Sequence, residues 1–108
     1  HQSFIKEAGA IVLKNLDNAA FSVDQFAELL NVSRSTLFTK MKEITGQTPN
    51  EFILEIRLKK SLELLKGGDA VNQVAFSVGF NDPSYFIKQF RKYFGVTPGQ
   101  HRSGTPKQ

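Results

Sequence analysis

Apolar side chains recur at helical spacing along most of this chain, and no stretch alternates apolar and polar residues over a useful length. The first stripe, formed by Ile5, Ala8 and Val12, predicts a helix over about 2–16. The same periodicity, bounded by start and stop signals, predicts six further helices: about 23–30, 34–45, 49–66, about 70–78, 83–94, and 98 to about 101. The pattern therefore predicts an all-α fold of seven helices.

Polar residues mark the predicted helix starts. Ser22 and Gln25 have the spacing of a capping box, in which each side chain bonds the backbone N–H of the other residue. Thr48-Pro49-Asn50-Glu51 has the same spacing, with Pro at the first helical position. We expect Asp69 to cap the fifth helix and Asp82 to cap the sixth. These signals are local, so the helix starts are readable without a structure.

The chain carries one short motif twice, at about 26–49 and 74–98. Each copy has the pattern of a helix, a tight turn and a second helix, closed by Gly-x-x-Pro. Ala27 and Ala75 are 48 positions apart (75 − 27), whereas Gly46 and Gly95 are 49 apart (95 − 46). The second copy therefore has one extra residue near its turn.

The two copies predict one domain with two lobes. Its parts are lobe 1 at about 4–47, a linker helix at about 49–66, lobe 2 at about 69–102 and a tail at 103–108. The linker has apolar residues on two sides, which suits packing between two lobes.

A helix-turn-helix unit places its second helix in the DNA major groove, so that helix needs an inward face and an outward face. The inward residues are predicted to be Leu37, Met41 and Ile44 in the first copy, and Phe86, Phe90 and Tyr93 in the second. The outward, candidate DNA-binding residues are Ser33, Arg34, Ser35, Phe38, Thr39 and Lys42, and then Asn81, Pro83, Ser84, Tyr85, Ile87, Lys88 and Arg91. The linker, at about 1.5 Å per residue, is long enough to hold two such helices about one DNA turn apart.

Phe38 and the residues before the sixth helix have competing interpretations. Phe38 either reaches a thymine methyl group from the outward face or is a core residue, and the sequence favours neither. Asn81, Asp82 and Pro83 either contact DNA or only cap the sixth helix, and Asp82 is interpreted as a cap, because a carboxylate facing DNA is repelled. The basic residues suit phosphates and the hydroxyl of Tyr85 can donate to one, whereas Ser35 and Thr39 have the length to reach base edges.

The formal net charge is +4, and its distribution supports a polyanionic partner. Residues 1–32 carry two bases against four acids, residues 33–66 carry seven against four, and residues 67–108 carry five against two. The positive charge therefore begins where the first turn leads into its second helix. A generic solvated basic surface is the competing interpretation.

The residues present argue against an enzyme and against a cofactor. There is no cysteine, hence no disulfide, no thiolate zinc site and no cysteine nucleophile. The two histidines, His1 and His101, lie at opposite ends without ligand spacing, and no Gly-rich phosphate loop occurs. No run of about 18 apolar residues exists, so no membrane contact by this domain is expected. Because the chain lacks an initiator Met, we expect it to be part of a longer protein.

From Val74 to Pro98 the sequence closely resembles the signature of AraC/XylS-type bacterial transcription regulators, and the looser resemblance of the first copy runs from Leu30 to Ile53. The family resemblance as a whole covers about 4–102. The resemblance implies a DNA-binding domain whose two recognition helices enter successive major grooves on one face of the duplex. It implies base-reading positions at Ser35, Phe38 and Thr39, and at Pro83, Ser84, Ile87 and Lys88. Unlike better-known members, the chain has no long polar side chain at Phe38 or Thr39.

The stretches 45–53 and 56–60 are similar to regulators of Bacteroidetes-like bacteria, in which this domain often ends a hybrid two-component system. This resemblance implies upstream sensor or receiver domains, promoter or operator DNA as partner and RNA polymerase as a candidate partner. It implies a cytoplasmic domain and leaves open a membrane anchor elsewhere in the full-length protein. The alternative is a helical protein-interaction module that has lost DNA reading, which the apolar Phe38 and Ile87 favour.

Overall fold

The computed structural model of the protein describes residues 2–102, and the predicted tail at 103–108 lies outside that range. Every regular element in the described range is an α-helix. The helices are α1 (Gln2–Lys14), α2 (Val23–Leu29), α3 (Arg34–Thr45), α4 (Pro49–Lys66), α5 (Val71–Ser77), α6 (Pro83–Phe94) and α7 (Pro98–Arg102). The predicted all-α fold of seven helices is therefore confirmed. α1 ends at Lys14 and not near 16, because the chain turns at Asn15, whose side chain donates to the Ile11 carbonyl at 2.8 Å.

The predicted capping boxes form. The backbone N–H of Gln25 donates to the Ser22 hydroxyl at 3.2 Å, and the Ser22 N–H donates to the Gln25 side chain, also at 3.2 Å. At the start of α4, the Thr48 N–H donates to Glu51 at 2.8 Å, and the Glu51 N–H donates to the Thr48 hydroxyl at 3.1 Å. Each box satisfies two backbone donors that a helix start would otherwise leave without a partner.

The cap predicted at Asp69 is wrong. α5 begins at Val71 with Ala70 at its N-cap, and no side chain bonds the helix start. Asp69 instead belongs to the end of α4: its N–H donates to the Leu64 carbonyl at 3.4 Å, and its own carbonyl accepts from the Arg102 guanidinium. Asp69 lies one residue before the N-cap position of α5, and its N–H closes the preceding helix.

By contacts, the chain divides into two compact units, one up to Ile56 and one from Arg57 onward. In the first unit α1 packs on α2, and α2 packs on α3. The Phe26 ring lies 5.7 Å from Phe21 and 6.2 Å from Phe52, centroid to centroid. The buried core of this unit consists of Ala8, Val12, Phe21, Phe26, Ala27, Leu30, Leu37, Met41, Phe52 and Ile53.

Phe90 is the centre of an aromatic cluster in the second unit, where α6 packs on α5 and α7. Its ring is fully buried and lies 5.7 Å from Phe86, 4.6 Å from Phe94 and 6.0 Å from His101. Tyr93, which was predicted to point inward, is 46% exposed, so that prediction is wrong. The inward row steps by four residues and continues with the half-buried Phe94.

Candidate nucleic-acid interface

Both copies of the repeated motif close their turn with the same backbone hydrogen bond. The Val32 N–H donates to the Ala27 carbonyl at 3.1 Å, and the Phe80 N–H donates to the Ala75 carbonyl at 2.9 Å. The two bonds are 48 positions apart (75 − 27 and 80 − 32). Each copy is therefore a helix-turn-helix unit with the same turn, formed by α2 and α3 in the first unit and by α5 and α6 in the second.

The extra residue of the second copy is Asn81. The turn residues Asn31 and Gly79 both have positive φ, 59° and 95°, a region that Gly and Asn tolerate best. They are 48 positions apart (79 − 31), whereas the helix caps Ser33 and Asp82 are 49 apart (82 − 33). The insertion therefore lies between turn and cap, and it leaves Asn81 exposed beside the start of α6.

The second helices of the two units, α3 and α6, are equivalent along their whole length. Each has 12 residues, and each ends at a glycine with positive φ, Gly46 or Gly95. Each carries outward residues at spacing i, i+3, i+4, i+7, which form one stripe on a helix. The equivalent pairs, 49 positions apart, are Ser35 and Ser84, Phe38 and Ile87, Thr39 and Lys88, and Lys42 and Arg91. All eight are exposed except Ile87, which is half-buried.

The face of α3 opposite the outward stripe packs into the core, whereas Phe38 lies outside that core. Leu37 and Met41 are fully buried and Ile44 is half-buried, as predicted. Phe38 is 48% exposed. Its position was left open by the sequence, and in the structure it belongs to the outward stripe.

Side chains at the start of α3 already have partners within the protein. The Ser33 hydroxyl accepts from the Thr36 N–H at 3.1 Å and lies 2.9 Å from the Thr36 hydroxyl. Arg34 Nη1 lies 3.1 Å from Asp24 Oδ1, and both side chains are about 70% exposed. Ser33 thus serves as a helix cap. Arg34 would release the Asp24 carboxylate in order to bind a phosphate.

The start of α6 is built differently. Asp82 Oδ1 accepts from the Ser84 N–H at 3.0 Å, so Asp82 is the cap, as expected. Pro83 occupies the first helical position and is half-buried. Tyr85 is 51% exposed, and its ring packs 5.8 Å from Phe80. These contacts connect the first turn of α6 to the turn that precedes it.

The lysines of α3 differ in what they contact. Lys42, on the outward stripe, donates to the Gly46 carbonyl at 3.4 Å, a long hydrogen bond at the end of its own helix. Lys40 lies off the stripe, and its ammonium lies 5.1 Å from the centre of the Phe4 ring. Lys42 is therefore the lysine of α3 with the placement of a candidate phosphate contact.

Arg57 of α4 holds the turn of the second unit, a role that the sequence analysis missed. Its Nη1 donates to the carbonyl of Gly79 at 3.0 Å, although the two residues are 22 positions apart. Burial lowers the pKa of the Arg57 guanidinium below its ordinary value, since desolvation penalises the charged form. The one signal in the sequence is a charged residue placed between Ile56 and Leu58.

We expect Arg57→Ala to lower the free energy of unfolding by about 1.5–3 kcal/mol, the usual range for a hydrogen bond to a charged group. The Gly79 carbonyl loses its charged donor, and the turn before α6 loosens. Urea unfolding followed by circular dichroism measures the change. Lys66→Ala, at the exposed end of the same helix, is the control and should cost less than about 0.5 kcal/mol. Equal effects of the two substitutions would contradict this role.

Within residues 2–102, no group of three or more His, Cys, Asp or Glu side chains is placed to hold a metal ion. No helix in that range is long and apolar enough to cross a membrane.

Relatives of known sequence share this domain. A family model described as a helix-turn-helix domain matches residues 26–104. The chain is 45% identical over 103 residues to the histidine kinase P4 of Formosa agariphila. That match covers 94% of this chain and 8% of the kinase, so the chain spans a small part of that relative's length.

Solved structures have the same architecture. A transcriptional regulator of Chromobacterium violaceum with an AraC-type DNA-binding domain superposes with a TM-score of 0.86 at 28% identity, covering 98% of this chain and 96% of that one. The DNA-binding domain of AdpA, solved in complex with a target DNA, gives 0.84 at 28% identity, covering 92% and 89%. The chain belongs to the helix-turn-helix domain family, in its AraC type.

Proposed function

We propose that this chain is the DNA-binding output domain of a bacterial transcription regulator, and that α3 and α6 enter adjacent major grooves of one duplex. The observation that carries the proposal is the repeated outward stripe. Each stripe begins with a serine and ends with a basic residue, at equivalent positions 49 apart (84 − 35 and 91 − 42). A surface retained twice in this form matches a ligand that is itself periodic, as duplex DNA is.

Each stripe divides into anchoring and reading groups. We assign phosphate contacts to Arg34, Lys42, Lys88 and Arg91, which are exposed cations on or beside the stripes. Lys88 lies in the middle of its stripe, and its ammonium has three donors, so we assign it a contact to a base edge as well. The uncharged residues of the two stripes face the base edges, where sequence is read. They are Ser35, Phe38 and Thr39 on α3, and Ser84 and Ile87 on α6. We further propose that Asn81 and Tyr85 contact the backbone beside α6, and that Ser33 and Pro83 position the helix starts. These assignments are supported by exposure and by position on the helices.

We also propose that the domain acts within a larger cytoplasmic regulator and has no enzymatic activity of its own. Support comes from the relative in Formosa agariphila, in which the matching stretch is a small part of a protein named a histidine kinase. Upstream sensor or receiver domains would then control when the domain engages its operator. RNA polymerase is a candidate partner at the promoter.

Selection from a randomised duplex pool tests the proposal directly. The chain is incubated with the pool at low salt, bound duplexes are recovered, and the enriched sequences are read. We expect a bipartite site with half-sites about one DNA turn apart, roughly 10 base pairs. Failure to enrich any sequence would overturn sequence-specific binding. Failure to bind DNA at all would favour a helical protein-interaction module instead, as the half-exposed Phe38 would then lie in a protein contact.

We expect Lys88→Ala to weaken binding to the selected site by at least about fivefold, near the lower end of the range for a contact to a base edge. Lys88 is exposed in the middle of the α6 stripe. Lys6→Ala is a charge-matched control on the exposed face of α1. Fluorescence anisotropy with a labelled duplex gives both dissociation constants. The same loss for both substitutions would mean that only net charge matters.

A further inference from the structure

The outward stripes of α3 and α6 share a feature at their second position. Phe38 and Ile87 are equivalent residues, 49 positions apart (87 − 38), and both are apolar. Phe38 is 48% exposed and Ile87 is half-buried, although each is surrounded on its stripe by hydroxyl-bearing or basic side chains. An apolar residue placed at the same point of both stripes calls for an explanation in terms of the ligand.

Phe38 is not needed to complete a core, and Ile87 is only partly buried. The inward face of α3 is supplied by Leu37 and Met41, which are fully buried, and that of α6 by Phe86 and Phe90. Leaving about half of a Phe in water costs free energy that burial against an apolar partner would recover. The basic residues at the end of each stripe, Lys42 and Arg91, favour a partner that also carries negative charge.

One group in the major groove of DNA meets both requirements. The C5 methyl group of thymine is the apolar feature of the groove, and it lies between two rows of phosphates. We propose, resting on the function proposed above, that Phe38 and Ile87 recognise thymine methyl groups, one in each half-site. The operator then contains an A·T pair at the equivalent place in both half-sites.

The neighbouring side chains fit this chemistry. Thr39 follows Phe38, and a threonine can offer its own methyl group or its hydroxyl to an A·T pair. Lys88 follows Ile87, and a lysine can donate to the acceptors of guanine. The half-site under α3 therefore depends more strongly on methyl contacts, because its stripe has no long polar side chain before Lys42. The half-site under α6 combines a methyl contact with a donor.

The experiment compares thymine with uracil, which lacks the C5 methyl group and keeps the same hydrogen-bonding edge. The site recovered from the randomised pool is resynthesised with each thymine replaced in turn by deoxyuridine. We expect one thymine in each half-site at which the replacement weakens binding about fourfold, the effect of losing one buried methyl group. At other thymines the ratio of dissociation constants should stay near one.

Protein variants identify which side chain makes each contact. Phe38→Ala should abolish the effect of uracil in one half-site only, and Ile87→Ala should abolish it in the other. Because Ile87 is half-buried, Ile87→Val provides a second, milder variant that keeps the helix packing and should give an intermediate effect. Phe76→Ala is the matched control, since Phe76 is a phenylalanine of similar exposure, 52%, on α5. It should leave both uracil effects unchanged.

Each result bears on a defined claim. A selected site that binds equally well with uracil at every position would overturn the methyl contacts while leaving sequence-specific binding intact. A uracil effect that persists unchanged in Phe38→Ala and Ile87→Ala would assign it to DNA shape and also overturn the proposal. If no site is enriched at all, the proposed function fails, and this inference fails with it.

Discussion

We expect Phe90→Ala to lower the free energy of unfolding by about 3–5 kcal/mol, the usual cost of removing a fully buried aromatic side chain. The Phe90 ring contacts rings of α6 and α7, so its loss opens a cavity in the middle of the second unit. Since a small domain is stable by about 5–15 kcal/mol, the change is a large part of the total. Urea unfolding followed by circular dichroism measures it.

Tyr93→Ala is the control for that experiment. Tyr93 lies one turn from Phe90 on the same helix and also contacts Phe94, at 4.9 Å between ring centroids, but it is 46% exposed. We expect Tyr93→Ala to cost less than about 1.5 kcal/mol, because about half of this side chain stays in water in the folded protein. Equal costs at the two positions would show that the aromatic cluster is not centred on Phe90.

We expect a rise in salt concentration from about 50 to about 200 mM to weaken binding to the selected duplex by roughly 150-fold. Four cations that neutralise phosphates release counterions, and the logarithm of the affinity then falls with the logarithm of salt with a slope of about −3.6. The four are Arg34, Lys42, Lys88 and Arg91. Anisotropy titrations at several salt concentrations give the slope.

The same titration on single variants counts the contacts. Each of Lys42→Ala, Lys88→Ala and Arg91→Ala should make the slope shallower by about one, whereas Lys6→Ala on α1 should leave it unchanged. Circular dichroism at both salt concentrations checks that the fold is unaffected. A slope near zero with tight binding to the duplex would overturn phosphate anchoring by these residues.

The helices of this protein were predictable because their signals are local. Ser22 with Gln25 and Thr48 with Glu51 act across three residues, and these short patterns determine helix starts wherever the rest of the chain lies. Asp69 shows the limit of this reasoning. Asp is a residue type typical of an N-cap, but here two glycines precede it. Its backbone N–H bonds a carbonyl at the end of α4, and α5 begins only at Val71.

Burial was less predictable because it depends on which side of a helix meets the other helices. Helical periodicity allows Tyr93 and Phe94 almost equally as the next inward residue after Phe90, and packing selects Phe94. Phe38 is a similar case: its type favours a core, and only the burial of Leu37 and Met41 beside it shows that the core is already filled.

The candidate DNA-binding surface was predictable as two helix faces, and its contacts with DNA stay a prediction. What the sequence did not reveal are the partners that side chains find at a distance. Arg34 donates to Asp24, which lies ten positions away in the sequence, and Arg57 donates to the carbonyl of Gly79, which lies 22 positions away. No spacing rule connects such pairs, since a turn or a whole helix lies between them.

The ion pair between Arg34 and Asp24 has a consequence for the number of phosphates that a ligand must offer, because a phosphate at Arg34 displaces the carboxylate. An exposed pair of this kind contributes only about 0–1 kcal/mol, so a phosphate displaces the carboxylate easily but gains little by doing so. A free phosphate ion or a mononucleotide gains a single contact at Arg34 and must displace the carboxylate to make it. In the proposed complex a duplex also contacts Lys42, Lys88 and Arg91, and after the first contact the others form at high effective concentration. We therefore expect the displacement of Asp24 to matter for small anions and to be offset by the other contacts for a duplex.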